Sequence, residues 1–458
     1  MLLLALFAAL PPIALPSQTR VLDNGLVVIV SPDHSAPGVT VDLRYHVGSK
    51  VEDAGRTGFA HLFEHLMFMG ARHVPYPKFD TLMEAVGGTN NAFTNNDVTN
   101  YFEAGPANLL GTFLWMEGDR LATLGQEMTQ EKLETQRKVV LNERRQSYEN
   151  RPYGLAHLAL EEHLFPEGHP YHWPVIGSAK DLEAAQLGDV TGFFAHWYVP
   201  RNAILAIVGD IEPEAAFAAV EKYLGWIQGP PGPLQRKDFA PAPLAKEERL
   251  QMTDQVELPR LMLAWQSPKG TTQGDADCDV LATILARGKA SRLYERLVHH
   301  DQLAAEVNAG QNSRELQSDF QIDVLARPGH TNAELLAATD QEIKRLAAEG
   351  PTQAEVDSAR TRIYSDTARG LEGLVERATR LTAYQLEYGT ADALARDLGR
   401  YEKTTPESVR EVARSVLGAA RVVVEVVPAP TAAAKAGQET ASKPGPAPAA
   451  QPAVKEAK

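Results

Sequence analysis

The proline- and glycine-rich stretch GPPGPLQRKDFAPAP at residues 229–243 constrains the fold more than any other feature, because it can continue neither a helix nor a central strand. It divides the chain into two comparable halves, and the halves repeat one plan. Each opens with strand candidates, at residues 25–44 and 250–267. Each closes with a helix-like segment leading into an apolar strand: 187–198 then 203–208 in the first, 406–417 then 421–427 in the second. Long amphipathic stretches lie between, among them 332–348 and 355–368. Strands at both ends with helices between predict an α+β fold of two homologous domains, each a mixed, mainly antiparallel sheet with helices packed on one face. The expected boundaries are a signal peptide at 1–17, a first domain at 18–228, a linker at 229–243, a second domain at 244–428 and a disordered tail at 429–458, where apolar periodicity ends.

One segment of the first half points to chemistry. In His61-Leu62-Phe63-Glu64-His65, helical spacing of about 100° per residue gathers Phe59, Leu62, Phe63 and Leu66 on one face. His61, Glu64, His65 and Phe68 gather on the other. Imidazoles four residues apart can turn nitrogens towards one ion, and a Glu beside them can hold or deprotonate water on that ion. The plainer alternative is two histidines on the outer face of a core helix. A third ligand is available on the helical segment 131–147, where Leu133, Gln136, Val140 and Glu143 share a face while Glu131 and Glu134 point away. A carboxylate on that inward stripe needs a counter-charge, which a cation or an arginine at the core edge would supply.

At these residues the chain resembles the inverzincin, or pitrilysin-like, zinc metallopeptidases, in the half-length form found in bacteria. The resemblance runs through nearly the whole first half. It includes Tyr45-His46-Val47-Gly48-Ser49, GRTGFAHLFEHLMFMG at 55–70 and GGTNNAFTNNDVTNYFEAG at 87–105. VVLNERRQSYENRPYG at 139–154, HPYHWPVIG at 169–177 and FFAHWYVPRNAILAIVGDI at 193–211 follow in family order. It implies that His61, His65 and Glu143 bind Zn2+, that Glu64 is the general base, that Asn91 and Ala92 make main-chain contacts to an extended peptide and that Phe93 lines the cleft. Gln136 stands where many relatives have a second Glu; it can hydrogen-bond near the ion but adds no charge. The activity implied is zinc-dependent endopeptidase action on exported peptides or unfolded polypeptides. The other reading is a scaffold subunit on the same fold, which would usually show a broken motif, and this motif is intact.

Relatives also carry an Arg and a Tyr in the second half, on a segment of the form L-R-x-x-x-x-L-A-Y-x-V. The matching segment at 297–307, LVHHDQLAAEV, has Val298 and Ala305 at those positions. His299 or His300 could substitute, but neighbours on an α-helix diverge, so at most one would face the cleft. Arg292-Leu293-Tyr294 offers another alignment. The expectation is a heterodimer in which a homologous subunit lacking zinc supplies the Arg/Tyr pair in trans, with a homodimer as the other possible assembly.

Charge and leader complete the reading. Against 45 Lys and Arg stand 59 Asp and Glu, for a net charge of −14, and no basic stripe suggests a nucleic-acid partner. The opening MLLLALFAALPPIALPSQ reads as a secretory signal, too short for a membrane span, although it lacks a positive start. It predicts export to the bacterial periplasm or secretion. Cys278 is the one cysteine, which leaves no thiol for a lipoprotein anchor beside the apolar run and no intrachain disulfide.

Overall fold

The computed structural model describes residues 13–236, 239–240 and 242–430; most of the expected signal peptide and nearly all of the expected disordered tail lie outside the described residues. The first sheet contains β1 (Gln18–Val21), β2 (Val27–Pro32), β3 (Gly38–Tyr45), β4 (Thr89–Thr94), β5 (Thr99–Pro106) and β6 (Ala203–Gly209), in the order β1-β2-β6-β3-β5-β4. The second contains β7 (Glu248–Asp254), β8 (Arg260–Ser267), β9 (Ala304–Asn312), β10 (Ser318–Ala326) and β11 (Arg421–Pro428), in the order β7-β11-β8-β10-β9. Setting β1 aside, both sheets follow one order: first, fifth, second, fourth and third strand. In each, the first and last strands of the repeat pair in parallel and every other pair is antiparallel. The repeated α+β plan is therefore present in the topology.

Strand β6, Ala-Ile-Leu-Ala-Ile-Val-Gly, is buried along its whole length, so both faces of the sheet must be covered. One face carries helices of the same half, and their core includes Leu43, Leu62, Phe63, Leu133 and Val140. The other face is covered from across the linker. Helix Leu374–Tyr388, in the second half of the chain, lies on β3 and β6, with Ala378, Leu381 and Tyr384 in one buried cluster with Ile29, Ala206 and Val208. The exchange is reciprocal. Helix Gly154–Leu164 of the first half lies on β8 and β11, packing Ala156, Leu160 and Leu164 with Met262, Ala264, Val422 and Val424. Each sheet thus has its own helices on one face and a borrowed helix on the other. Leu15 is buried in the first of these shared clusters, and the Pro16 carbonyl accepts a hydrogen bond from Ser31 Oγ at 2.7 Å. The last residues of the expected 1–17 leader therefore belong to the folded body; cleavage upstream of Ile13 would preserve that packing.

Polar contacts tie the halves together where the β9–β10 turn meets the first domain. The Glu315 carboxylate takes His46 at 2.6 Å and the nearly buried Lys50 ammonium, while the Glu315 N–H donates to Asp97 at 3.0 Å. Tyr171 Oη donates to Asp97 at 2.6 Å and accepts the Leu316 N–H at 3.1 Å. Burial opposes ionisation of Glu315, yet the His46 hydrogen bond and the Lys50 charge outweigh it and hold its pKa at about 2, against 4.5 ordinarily. A depressed carboxylate contributes stability above its unfolded pKa and loses it as pH falls through the folded value. Glu315→Gln should therefore lower stability at pH 7 by about 1 kcal/mol and reduce the further loss between pH 4.5 and 2. An unchanged melting curve across that range would contradict this.

Candidate metal centre

The motif helix, Phe59–Leu66, is fixed at its start. The buried Glu52 carboxylate accepts the N–H groups of Gly58 at 2.9 Å and Ala60 at 2.7 Å, filling donors that a helix N-terminus leaves free. Burial pushes Glu52 up to about 8, against the pull of those N–H groups. Gly58 has φ 86°, and a Cβ there would lie 2.8 Å from the Ile176 carbonyl, so no larger residue fits. Phe59, Leu62, Phe63 and Leu66 are buried as the periodicity predicts, with Phe63 stacked on Phe194 at 5.3 Å. The opposite face therefore presents His61, Glu64 and His65.

Helix Gln130–Arg144 is anchored by the buried Leu133 and Val140, which brings Glu143 to this face. Glu143 Oε2 lies 3.7 Å from His61 Nε2 and 3.2 Å from His65 Nε2, and the three atoms fall within 4.8 Å of one another. Tetrahedral zinc with bonds of about 2.0–2.2 Å spaces its ligand atoms by about 3.3–3.5 Å. The donor set and its spacing fit that ion. Burial, reinforced by His65, lowers His61 to about 4 despite Glu143, so its imidazole is held neutral, the form that binds metal. A hydrogen bond from His65 keeps the Glu143 carboxyl below its ordinary range. His61 Nδ1 is buried with no hydrogen-bond partner among the described residues.

Glu64 stands outside this trio. Its Oε2 accepts a hydrogen bond from Thr94 Oγ1 at 2.5 Å, and burial raises its pKa against that bond. Thr94 closes β4, the edge strand of the sheet. Sequence reasoning chose Asn91, Ala92 and Phe93 on this strand and missed Thr94, which period-two alternation from Ala92 would have placed on the same face. The Ala92 N–H is taken by its neighbour's Asn91 Oδ1 at 2.9 Å. Phe93 falls on the opposite face, in the cross-strand row of Asn100 and Arg44, with the Arg44 guanidinium 5.8 Å from its ring. Phe93 is thus not brought to the side of Glu64. Gln136 donates to Met69 Sδ at 2.7 Å and, among the described residues, makes no hydrogen bond to His61, His65 or Glu143.

Across the linker, Val298 is buried in the second core and Ala305 is exposed on edge strand β9. Arg292, from the alternative alignment, is paired with Glu355 at 2.6 Å, and Tyr294 packs on the second core.

Comparisons with known proteins identify the family. The family model described as "Insulinase (Peptidase family M16)" matches residues 27–169, which hold all three atoms of the cluster, and "Peptidase M16 inactive domain" matches 184–363. The zinc protease PqqE of Helicobacter pylori is 29% identical over 370 residues, 78% of this chain and 81% of that protein. An uncharacterized zinc protease of Mycobacterium bovis is 27% identical over 411 residues, 89% and 92% of the two chains. Among solved structures, a protease from Helicobacter pylori superposes with a TM-score of 0.85 at 24% identity, covering 91% of this chain and all of that one. The periplasmic protease PqqL of Escherichia coli superposes with a TM-score of 0.75 at 18% identity, covering 97% of this chain but 52% of PqqL. Together the repeated fold, the His-x-x-Glu-His helix with its distal Glu and these matches mean that the chain belongs to peptidase family M16.

Proposed function

We propose that this protein is a zinc-dependent metalloendopeptidase that hydrolyses exported peptides or unfolded polypeptides. The observation that carries this reading is the convergence of His61, His65 and Glu143 beside a Glu64 that is left out of the cluster. Zinc, when bound by those three side chains, supplies Lewis acidity towards the scissile carbonyl and lowers the pKa of water. Glu64 takes the proton from the attacking water and delivers it to the leaving amine. Its burial raises its proton affinity, which suits a general base working near neutrality. Edge strand β4 has an outer edge to which an extended peptide can add as a further strand, with Asn91 and Ala92 as the contact residues once the Asn91 side chain releases the Ala92 N–H. Peptide cleavage abolished by a chelator and restored by zinc is expected; a protein that retains no zinc and cleaves nothing would favour the scaffold reading.

Thr94 links the peptide strand to the base. Thr94→Val should lower kcat about tenfold, the scale seen when a partner orienting a metal-site group is removed, while bound zinc stays unchanged. Thr94→Ser should recover most of the rate. Equal loss in both variants would exclude a role for the hydroxyl.

Export and pairing belong to the same proposal. The leader reading supports a periplasmic or secreted protein, and the structural relative PqqL is named periplasmic; among the described residues no helix is long and apolar enough to cross a membrane. N-terminal sequencing of mature protein that still begins at Met1 would refute the signal peptide. Coverage of about half of PqqL, together with Val298 and Ala305 at the expected Arg and Tyr positions, supports assembly with a homologous subunit.

A further inference from the structure

We infer that Glu295, His299 and His300 form a second binding site, on the surface of the second domain, for a divalent cation of the zinc, nickel and copper class. His299 Nδ1 lies 3.4 Å and His300 Nε2 lies 3.5 Å from the same Glu295 Oε2, and the three atoms fall within 4.8 Å of one another. These separations match the spacing of about 3.3–3.5 Å expected between ligand atoms around tetrahedral zinc. The ring geometry repeats that of the first-domain centre. His299 and His300 have centroids 5.0 Å apart at 73°, against 4.9 Å and 82° for His61 and His65.

Adjacent histidines converge here because the backbone is not α-helical. Residues Tyr294–His300 form a π-helical turn, continued by the i→i+5 bond from the Asp301 N–H to the Arg296 carbonyl at 2.8 Å. On an α-helix, residues 299 and 300 would diverge by about 100°. The wider turn instead sets positions i+4 and i+5 on either side of position i, so both imidazoles reach Glu295. Such turns inside helical segments occur frequently at functional sites. Both histidines can therefore approach Glu295, although on an α-helix adjacent residues would diverge.

The backbone of the site is anchored to the second core. Leu297 and Val298 are buried between the ligands, and Arg327 ties the segment down by donating to the Val298 carbonyl and to the Ala304 carbonyl, both at 3.1 Å. Neighbouring arginines are committed elsewhere: Arg292 to Glu355, and Arg296 to Asp301 and Glu342. Among the described residues Glu295 has no Lys or Arg partner, so its carboxylate faces the two imidazoles alone. Imidazole nitrogens with one carboxylate oxygen select borderline metals over calcium or magnesium, which prefer all-oxygen sites. The histidine side chains are 66% and 70% exposed, leaving the remaining coordination positions to water and the ion free to exchange.

The test is calorimetric titration of zinc chloride into three chelator-stripped proteins: wild type, His299→Ala/His300→Ala and His61→Ala/His65→Ala. The first double variant changes only exposed side chains, and its circular dichroism should match wild type. It should bind one equivalent fewer than wild type, and the second variant should keep the equivalent that the first one loses. Equal zinc stoichiometry in wild type and His299→Ala/His300→Ala would overturn the inference. A single equivalent in wild type that disappears only with His299 and His300 would support the inference while refuting the catalytic zinc, so the two readings are separable.

Discussion

Zinc-loaded Glu64→Gln should fold normally, retain its metal and lose about 10³-fold in kcat, within the range of about 10²–10⁴ contributed by a general acid–base group. The substitution isolates proton transfer because little else changes. Gln has the size of Glu, and its side-chain oxygen can still accept the Thr94 hydroxyl hydrogen bond now made at 2.5 Å. The buried Phe59, Leu62, Phe63 and Leu66 that seat the helix are untouched. Zinc content measured beside the rate decides the interpretation. Lost activity with retained zinc assigns Glu64 to proton transfer; zinc lost in parallel would make it a ligand, against its exclusion from the His61, His65 and Glu143 trio. Cleavage at the wild-type rate would overturn the mechanism.

The repeat was legible because its signals are local. Apolar strands such as 203–208 and the punctuation at 229–243 can be read without knowing what packs where. The inward stripe of Leu133, Val140 and Glu143 was legible for the same reason, and the structure brings Glu143 to the two histidines. What escaped was partnership. Helix Leu374–Tyr388 shows an apolar face in its sequence, but periodicity cannot say that this face covers the sheet of the other half. Thr94 escaped because a hydroxyl at the end of a strand resembles turn chemistry until Glu64 is seen against it. The convergence of His299 and His300 on Glu295 is not legible in the sequence because a π turn leaves no mark in hydrophobic periodicity.

Alone, the protein should bind zinc yet cleave peptides slowly, and a homologous subunit carrying the Arg/Tyr pair should raise kcat/KM by about 10²–10³, the usual worth of one donor to a developing oxyanion. The second domain offers no replacement at the expected positions. Val298 is buried in the core and, like Ala305, has no polar side-chain atom. Arg292 is neutralised by Glu355, and His299 and His300 converge on Glu295. A homodimer would not help, because a second copy brings the same Val298 and Ala305. We therefore expect the donor to come from a different chain, a relative with the same repeated two-domain fold. Rates measured with and without such a subunit at fixed zinc separate this from a defect in metal loading. The Arg and Tyr of the added subunit should each be required, whereas its own loss of His-x-x-Glu-His should be immaterial. Full peptidase activity from this chain as an isolated monomer would sink the proposal, because it would require an oxyanion donor within the same chain.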